Sequence, residues 1–395
     1  MPPDVRFPGW TRLFRICLVF WLSGWSGGTL DACLWDYDTL QMERRRFPGI
    51  HELITGRFVR HGREYYEWRV ADRRRRLEAA PDDPALVDDL AVALDKLGRP
   101  LEGIEELKRI RKLHGDRYET IANLGTLLIH AGQHSEGARW IERALEINPE
   151  AHFGRERFQL LLVQYIQKSE LKTEGVLSTE SRFTRTQKVG FAQFVTGDRW
   201  DTNELNAALK GVMGIVHFGN AESPVVLEAL GDLLLRTGEG RDDARLLAAR
   251  AYLKAARNST RADVADRYRN MAEESLMPNA DYHGPNWTKA VALVADSLEV
   301  DLREASNWRA SIEADERAWI QQGADVDRRF SEKYYESLPE LLAAAETQLQ
   351  KEPVHERTYQ SYRWDQIVTL FRWALIFGMS LLSLGIIFQR VRDER

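Results

Sequence analysis

The sequence contains very little cysteine. Cys17 and Cys33 are the only two among 395 residues, and both lie within the first 33 positions. A disulfide framework therefore cannot hold the rest of the chain together. The body must be stabilised by a buried apolar core, and a hydrophobic content of 44% is sufficient to build one.

The chain also has no excess of positive charge. Its 55 lysines and arginines are outnumbered by 60 aspartates and glutamates, which gives a formal net charge of −5. A protein that holds a phosphate backbone by charge needs the opposite balance. We therefore expect no nucleic acid partner.

Motifs that carry chemistry are missing as well. The sequence has no glycine-rich phosphate loop, no nucleophile elbow and no paired-cysteine metal motif. His130 and His134 have the spacing of two metal ligands on one helix, but Gly132 between them predicts a turn, so we expect solvated surface there. The sequence therefore predicts no metal, no cofactor and no enzymatic activity of the chain's own.

The N-terminus has the order of a secretory signal peptide. Arg6, Arg12 and Arg15 precede the apolar run 16–25, which small residues follow. This pattern predicts export, with residues 1–32 as the signal and an uncleaved anchor as the alternative. Cys33 could then be lipidated, with an ordinary free cysteine as the default.

The C-terminus carries a longer apolar segment. Ile367 to Phe388 is 22 residues long and contains one charge, Arg372. A helix of this length extends about 33 Å, which is enough to span a membrane. Three arginines follow it in the tail, 389–395, so the positive-inside rule places the tail in the cytoplasm and the body on the extracytoplasmic (periplasmic) side. A removable sorting tail is the alternative.

The middle of the chain has a period of 34 residues. Leu90 recurs as Leu124 and again as Phe158, and Gly98 recurs as Gly132. Apolar residues every three or four positions followed by a glycine predict a helix that ends in a left-handed cap. Each period is long enough for two antiparallel helices joined by a short turn.

Small residues recur at the same spacing. Ala91 and Gly125 on the first helices, and Gly103 and Gly137 on the second, would let two backbones approach closely. Residues 84–151 contain two such units and resemble the tetratricopeptide repeat, including the segment IERALEINP that ends at Pro149.

The resemblance implies a right-handed solenoid of helical hairpins whose concave face binds peptides or proteins. Asn123 coincides with the asparagine that many of these repeats use to hold a ligand backbone. The face carries Asp88 and Asp95 where repeats that clamp a C-terminal carboxylate need lysine or arginine, which disfavours that mode. The predicted partner-binding residues on the concave face are Asp88, Val92, Asp95, Glu119, Asn123, Thr126, His130 and Leu160.

The predicted fold class is all-α: a tetratricopeptide-like helical hairpin solenoid with an N-terminal signal segment and one C-terminal transmembrane helix. The predicted divisions are a signal peptide (1–32), an N-terminal segment and degenerate helix pair (33–83), repeats (84–168), a polar loop (169–200), repeat-like hairpins (201–275), a helical region with a juxtamembrane linker (276–366), the transmembrane helix (367–388) and a cytoplasmic tail (389–395).

These features favour a membrane-anchored scaffold or assembly factor that binds a protein or peptide partner in the cell envelope. The alternative is an envelope enzyme that uses the repeats to recruit its substrate, with an active site in 33–49 or 283–350. Block 33–49 is otherwise expected to pack across the first helices. The basic runs 43–46 and 73–76 are expected to be solvated helix faces.

Overall fold

A computed structural model describes most of the body of the chain. The described residues are 48–149, 154–170, 190–197, 199, 201–238, 242–277 and 285–336. The predicted signal peptide, the segment 33–47, the transmembrane helix and the tail lie outside them. The chain divides into two compact units, 1–331 and 332–395, and the second contributes only 332–336 to the described residues.

Every regular element within the described residues is helical, which confirms the all-α class. The helices are α1 (Ile50–Thr55), α2 (Arg63–Ala79), α3 (Pro84–Lys96), α4 (Pro100–His114), α5 (Tyr118–His130), α6 (His134–Ile147), α7 (Arg155–Glu170), α8 (Gly190–Thr196), α9 (Thr202–Gly214), α10 (Pro224–Thr237), α11 (Asp242–Asn258), α12 (Ala262–Leu276), α13 (Pro285–Gln321) and α14 (Val326–Phe330). Short π-helical turns, Ile215–Gly219 and Ser331–Glu336, follow α9 and α14.

The region of the 34-residue period forms two helical hairpins, α3 with α4 and α5 with α6. The Asp83 side chain caps α3 by accepting hydrogen bonds from two backbone amides of its first turn. Gly98 and Gly132 follow the first helix of each hairpin with φ of 77° and 78°. Because L-residues with a side chain rarely adopt this conformation, the glycines end the helices as the sequence predicts.

Glycines also set the distance between the two helices of each hairpin. A Cβ atom added to Gly103 would lie 3.0 Å from the carbonyl oxygen of Ala91. One added to Gly137 would lie 2.8 Å from the carbonyl oxygen of Gly125. The two contacts are one period apart, and they confirm that the small residues allow close backbone approach.

The second half of the body packs as consecutive antiparallel helices around an apolar core that also includes Ile129 and Ile141 of the repeat hairpins. Helix α10 contacts α11, and α11 contacts α12. Buried side chains from α7 and α9–α12 form this core, and Tyr252 fills the space beside Gly231, where an added Cβ would lie 2.6 Å from the tyrosine ring. Hairpin-like packing therefore continues where the specific sequence repeat does not.

Helix α13 connects distant parts of this arrangement. It is 37 residues long, which corresponds to about 55 Å. It contacts α1 and α2 near the start of the described residues and α11 and α12 near their end. The helices α1 and α2, which precede the repeat hairpins, are therefore joined to the antiparallel pair α11 and α12 through one helix.

Two local expectations differ from the structure. Residues 169–200 are predicted as a polar loop, but Gly190–Thr196 is helical because Phe191 and Ala192 are buried there. Arg73 is predicted on a solvated face, but it is 2% exposed and bonded to carboxylates. Among the described residues, which exclude 367–388, no helix has the length and apolar character needed to cross a membrane.

Candidate functional site

The residues predicted to face a partner are mostly inside the protein. Asn123 and Thr126 have no exposed surface, Val92 is 1% exposed and Asp88 is 3% exposed. The side chains of Asp95 and His130 are also buried. These six side chains therefore have little exposed surface in this structure, and a partner contact at these residues stays a prediction.

Several polar residues of this set form hydrogen bonds to residues of neighbouring helices. The Thr120 hydroxyl donates to Asp88 Oδ2 over 3.2 Å, and His130 Nδ1 lies 2.8 Å from Asp95 Oδ1, so both pairs join α5 to α3. Gln159 Nε2 donates to Thr126 Oγ1 over 3.1 Å and joins α7 to α5. The predicted ligand contacts are thus replaced by contacts between helices. His130 in particular is not solvated surface.

Glu119 and Leu160 differ from the rest of the set. The Glu119 side chain is 32% exposed and lies 3.4 Å from Arg117 Nη2. Leu160 is partly buried against the apolar core of the second half. Of the eight predicted residues, these two retain accessible side-chain surface.

Asp88 is electrostatically unusual. Its Oδ2 accepts from Arg117 and Thr120, while its buried Oδ1 has no hydrogen-bond partner among the described residues. Burial raises the pKa of Asp88 to about 7, although Arg117 and Thr120 act in the opposite direction. A carboxyl group inside the repeat region is therefore half protonated near neutral pH.

A cavity lies at a different place in the structure, where α1, α11 and α13 meet. Its volume is about 300 Å³, and it is partly open to solvent. Hereafter it is called the basic cavity, because four of its lining side chains are cationic and only one is acidic. The lining residues are Thr55, Gly56, Arg60, Glu222, Lys254, Arg257, Asn258, Leu302, Ala305, Ser306 and Arg309.

Glu222 is the acidic residue of the basic cavity, and it receives several donors. Arg60 Nη2 and Lys254 Nζ donate to its Oε1 over 3.2 and 3.3 Å. Asn258 Nδ2 donates to its Oε2 over 3.1 Å. Burial alone would raise the pKa of Glu222, but Lys254 and Arg60 lower it to about 2.

The cations of the basic cavity are held at an electrostatic cost. The Lys254 side chain is 1% exposed, and burial lowers its pKa to about 8. Burial and the neighbouring Arg309 lower the pKa of Arg60. Arg60 Nε is buried and has no hydrogen-bond partner among the described residues. The site therefore holds more positive charge than its own carboxylate neutralises.

No pattern in the sequence predicts the basic cavity. Arg60 and Glu222 are 162 positions apart, and they meet because α13 and α11 pack against α1. Lys254 is in the last third of an amphipathic helix whose last turn also carries the basic residue Arg257, so its residue type gives no sign of burial. Only the long-range packing identifies these side chains as a cluster.

The described residues contain no group of three or more metal-ligating side chains. Comparisons with protein-family models, with curated proteins and with solved structures found no match to this chain. The assignment of function therefore depends on the sequence and on the geometry above.

Proposed function

We propose that this protein is a membrane-anchored helical-repeat scaffold or assembly factor that binds a protein or peptide partner on the extracytoplasmic side. The observation that carries the proposal is the repeated hairpin of α3 to α6, in which the same close contacts recur one period apart. Stacked hairpins of this kind expose long, regular surfaces, and repeat proteins use such surfaces to bind other proteins. The tetratricopeptide resemblance supports the same function.

The partner surface in this proposal is narrower than the sequence alone indicates. Glu119 is at the start of α5 and Leu160 is within α7, and both retain accessible side chain. The buried residues between them, including Asn123 and Thr126, hold the helices at fixed distances and shape the surface from beneath. We therefore place the partner contact around Glu119 and Arg117.

The membrane part of the proposal depends on residues outside the described ranges. The length and apolar character of 367–388 support a span, and the arginines after it support a cytoplasmic tail. Mass spectrometry of the mature C-terminus tests this part, because a removable sorting tail would be absent from the mature chain. A retained C-terminus beyond residue 388 would support the anchor.

The binding function can be tested by site-specific photocrosslinking in the protein's own cells. A photoreactive residue at position 119 should capture a discrete partner. The same residue at position 142 is the matched control, because Glu142 is exposed on α6 and lies outside the proposed surface. Capture from both positions alike would contradict the proposed surface.

Two substitutions separate binding from folding. Glu119→Ala should abolish capture of the partner by a crosslinker at an adjacent exposed position while the melting temperature stays unchanged. Asn123→Ala should instead lower the melting temperature, because Asn123 is completely buried. If no partner is captured by any exposed position of α5 or α7, the scaffold proposal fails and the alternative of an envelope enzyme gains support.

A further inference from the structure

The basic cavity has no role in the proposed scaffold function. It is separate from the partner surface around Glu119 and lies between the end of α1, the end of α11 and the middle of α13. We propose that this cavity binds a small phosphate-bearing anion. This inference goes beyond the proposed function and does not depend on it.

The first argument is the imbalance of charge. Arg60 and Lys254 are both bonded to the single carboxylate of Glu222. Arg257 and Arg309 line the same cavity and contact Glu299 and Glu313, so four cations share three carboxylates. A buried cation without an anion of its own is costly, so an anion that enters the cavity would stabilise the site.

A second charge cluster in the same protein shows what a purely structural arrangement contains. Arg73 donates to three carboxylates, those of Asp72, Asp89 and Asp327, at 2.6 to 2.9 Å. Arg69, Arg75 and Arg76 contact the same aspartates, so four cations share three carboxylates in this cluster. The basic cavity differs in that a volume of about 300 Å³ lies beside its charges.

The second argument is the supply of donors. The buried Arg60 Nε has no hydrogen-bond partner among the described residues. Arg257 contacts Glu299 at 2.7 Å and Arg309 lies 2.9 Å from Glu313, yet each guanidinium has five N–H donors and retains several for a second oxyanion. Arginine forks match the oxygens of a phosphate in two-donor geometry.

The third argument is size. A volume of about 300 Å³ is at the lower end of the range for small-molecule sites. It accommodates a phosphate together with a short organic group. Most of the lining is polar, with Leu302 and Ala305 as the main apolar contribution, so the group attached to the phosphate should be small and polar.

The test is calorimetric titration of the purified full chain with two probes, inorganic phosphate and glycerol phosphate, at constant ionic strength. The main variant is Arg309→Gln, because the Arg309 side chain is only partly buried and its loss leaves the core intact. We expect at least about tenfold weaker binding, since a charge-assisted hydrogen bond to phosphate is lost. Arg317→Gln is the matched control: Arg317 is on the same helix, pairs with Glu64 and does not line the cavity.

A second variant adds negative charge without removing any contact of the core. Ser306 is exposed and lines the basic cavity, so Ser306→Asp should abolish binding of both probes while the melting temperature stays close to that of the wild type. If the wild-type protein binds inorganic phosphate, free phosphate is a sufficient ligand. Binding of glycerol phosphate alone would identify a phosphorylated organic molecule.

Three results would overturn the proposal. The first is the absence of saturable binding of either probe at millimolar concentration. The second is an equal loss of affinity in Arg309→Gln and Arg317→Gln, which would indicate a general effect of net charge. The third is unchanged affinity in Ser306→Asp. None of these results bears on partner capture at position 119, so the two proposals fail independently.

Discussion

Two regions of the body are stabilised in different ways. The repeat hairpins α3–α6 are held by apolar contacts and by glycines that allow close packing between neighbours in the sequence. The contact of α13 with residues 48–79 is held by a buried carboxylate and by hydrogen-bonding groups that are about 250 positions away. His61 Nδ1 lies 2.6 Å from Glu316 Oε1, and Gly62 N donates to Glu316 Oε2 over 2.9 Å.

The difference shows how each type of contact responds to change. In the hairpins, shape decides stability, because a single added carbon meets backbone within 3.0 Å. In the α13 contact, a buried carboxylate decides stability, because the Glu316 side chain is 1% exposed and bonds to His61 and the Gly62 amide. Steric substitutions should therefore disrupt the first region most, and substitutions that remove charge should disrupt the second most.

The largest effect is expected for Gly125→Leu in the hairpins. A Cβ at this position already lies 2.8 Å from Ile141 Cδ1 and 3.0 Å from the Ile141 backbone nitrogen, so leucine forces α5 and α6 apart. We expect unfolding of the repeat region, with a loss of at least about 3 kcal/mol in the free energy of unfolding. Thermal and denaturant unfolding followed by circular dichroism would measure it.

The control for Gly125→Leu is Glu142→Leu, which places the same side chain on the exposed surface of α6. It should change the free energy of unfolding by no more than about 0.5 kcal/mol. A cooperative, wild-type-like melt of Gly125→Leu would count against the repeat packing.

The next effect is expected for Glu316→Ala in the α13 contact. The substitution leaves the buried His61 and the Gly62 amide without their hydrogen-bonding carboxylate, which should cost about 2–3 kcal/mol. Glu304→Ala is the control, because Glu304 is on the same helix, is 63% exposed and is 4.0 Å from Arg57. Equal melting temperatures for the two variants would show that the buried carboxylate is unimportant.

The substitution Asp88→Asn tests whether a buried charge affects the stability of the hairpins. Its folded pKa is about 7 against an ordinary value of 3.8, so the folded state binds the extra proton between these values. Protonation of Asp88 therefore adds to the free energy of unfolding. This contribution is about 2–4 kcal/mol below about pH 4, and it is lost as the pH rises through 7. Asp88→Asn should remove this dependence and be more stable than the wild type at pH 8.

The measurement is the difference in unfolding free energy between the wild type and Asp88→Asn at pH 5 and pH 8. Taking the difference cancels groups that titrate in both proteins. Glu119→Gln serves as the control on the same face, and it should show little change with pH. A constant difference between wild type and Asp88→Asn would mean that Asp88 is ionised throughout.

The smallest effect is expected for Gly98→Ala at the end of α3. The backbone has φ of 77°, but an added Cβ would meet nothing within 4 Å, so the cost is conformational strain of about 1 kcal/mol. Gly49→Ala is a suitable comparison, since Gly49 has φ of −70° and should tolerate alanine. If Gly98→Ala lowers the free energy of unfolding as much as Gly125→Leu does, the turn is packed more tightly than its geometry indicates.

The sequence predicts local features of this fold well. The starts of the hairpins at Pro84 and Tyr118, the glycine caps and the small-residue contacts all follow from a period within neighbouring residues. The sequence does not predict which polar residues of the inner face are buried. Asn123 and Thr126 have the same helical positions whether a ligand or another helix covers them, and only tertiary packing decides between the two.

The charged sites could not be predicted from the sequence either, because the residues that form them are far apart in the chain. Arg73 is within a run of arginines that is otherwise exposed, and its helical spacing from Arg69 places it where the repeat pattern has a small or apolar residue, but the sequence does not name its partner. Its carboxylate partner Asp327 is 254 positions away. The basic cavity likewise depends on three segments that are far apart in the chain.

The distance between His61 and Glu316 has a consequence for the order of folding during synthesis. At about 5–20 residues per second, roughly 10–50 s separate the emergence of these two residues from the ribosome. During that interval α2 has no carboxylate from α14 to pair with Arg73, while the hairpins α3–α6 can form as soon as they emerge. We expect the repeat hairpins to be native first and the segment before them to be the last part of the body to become protected.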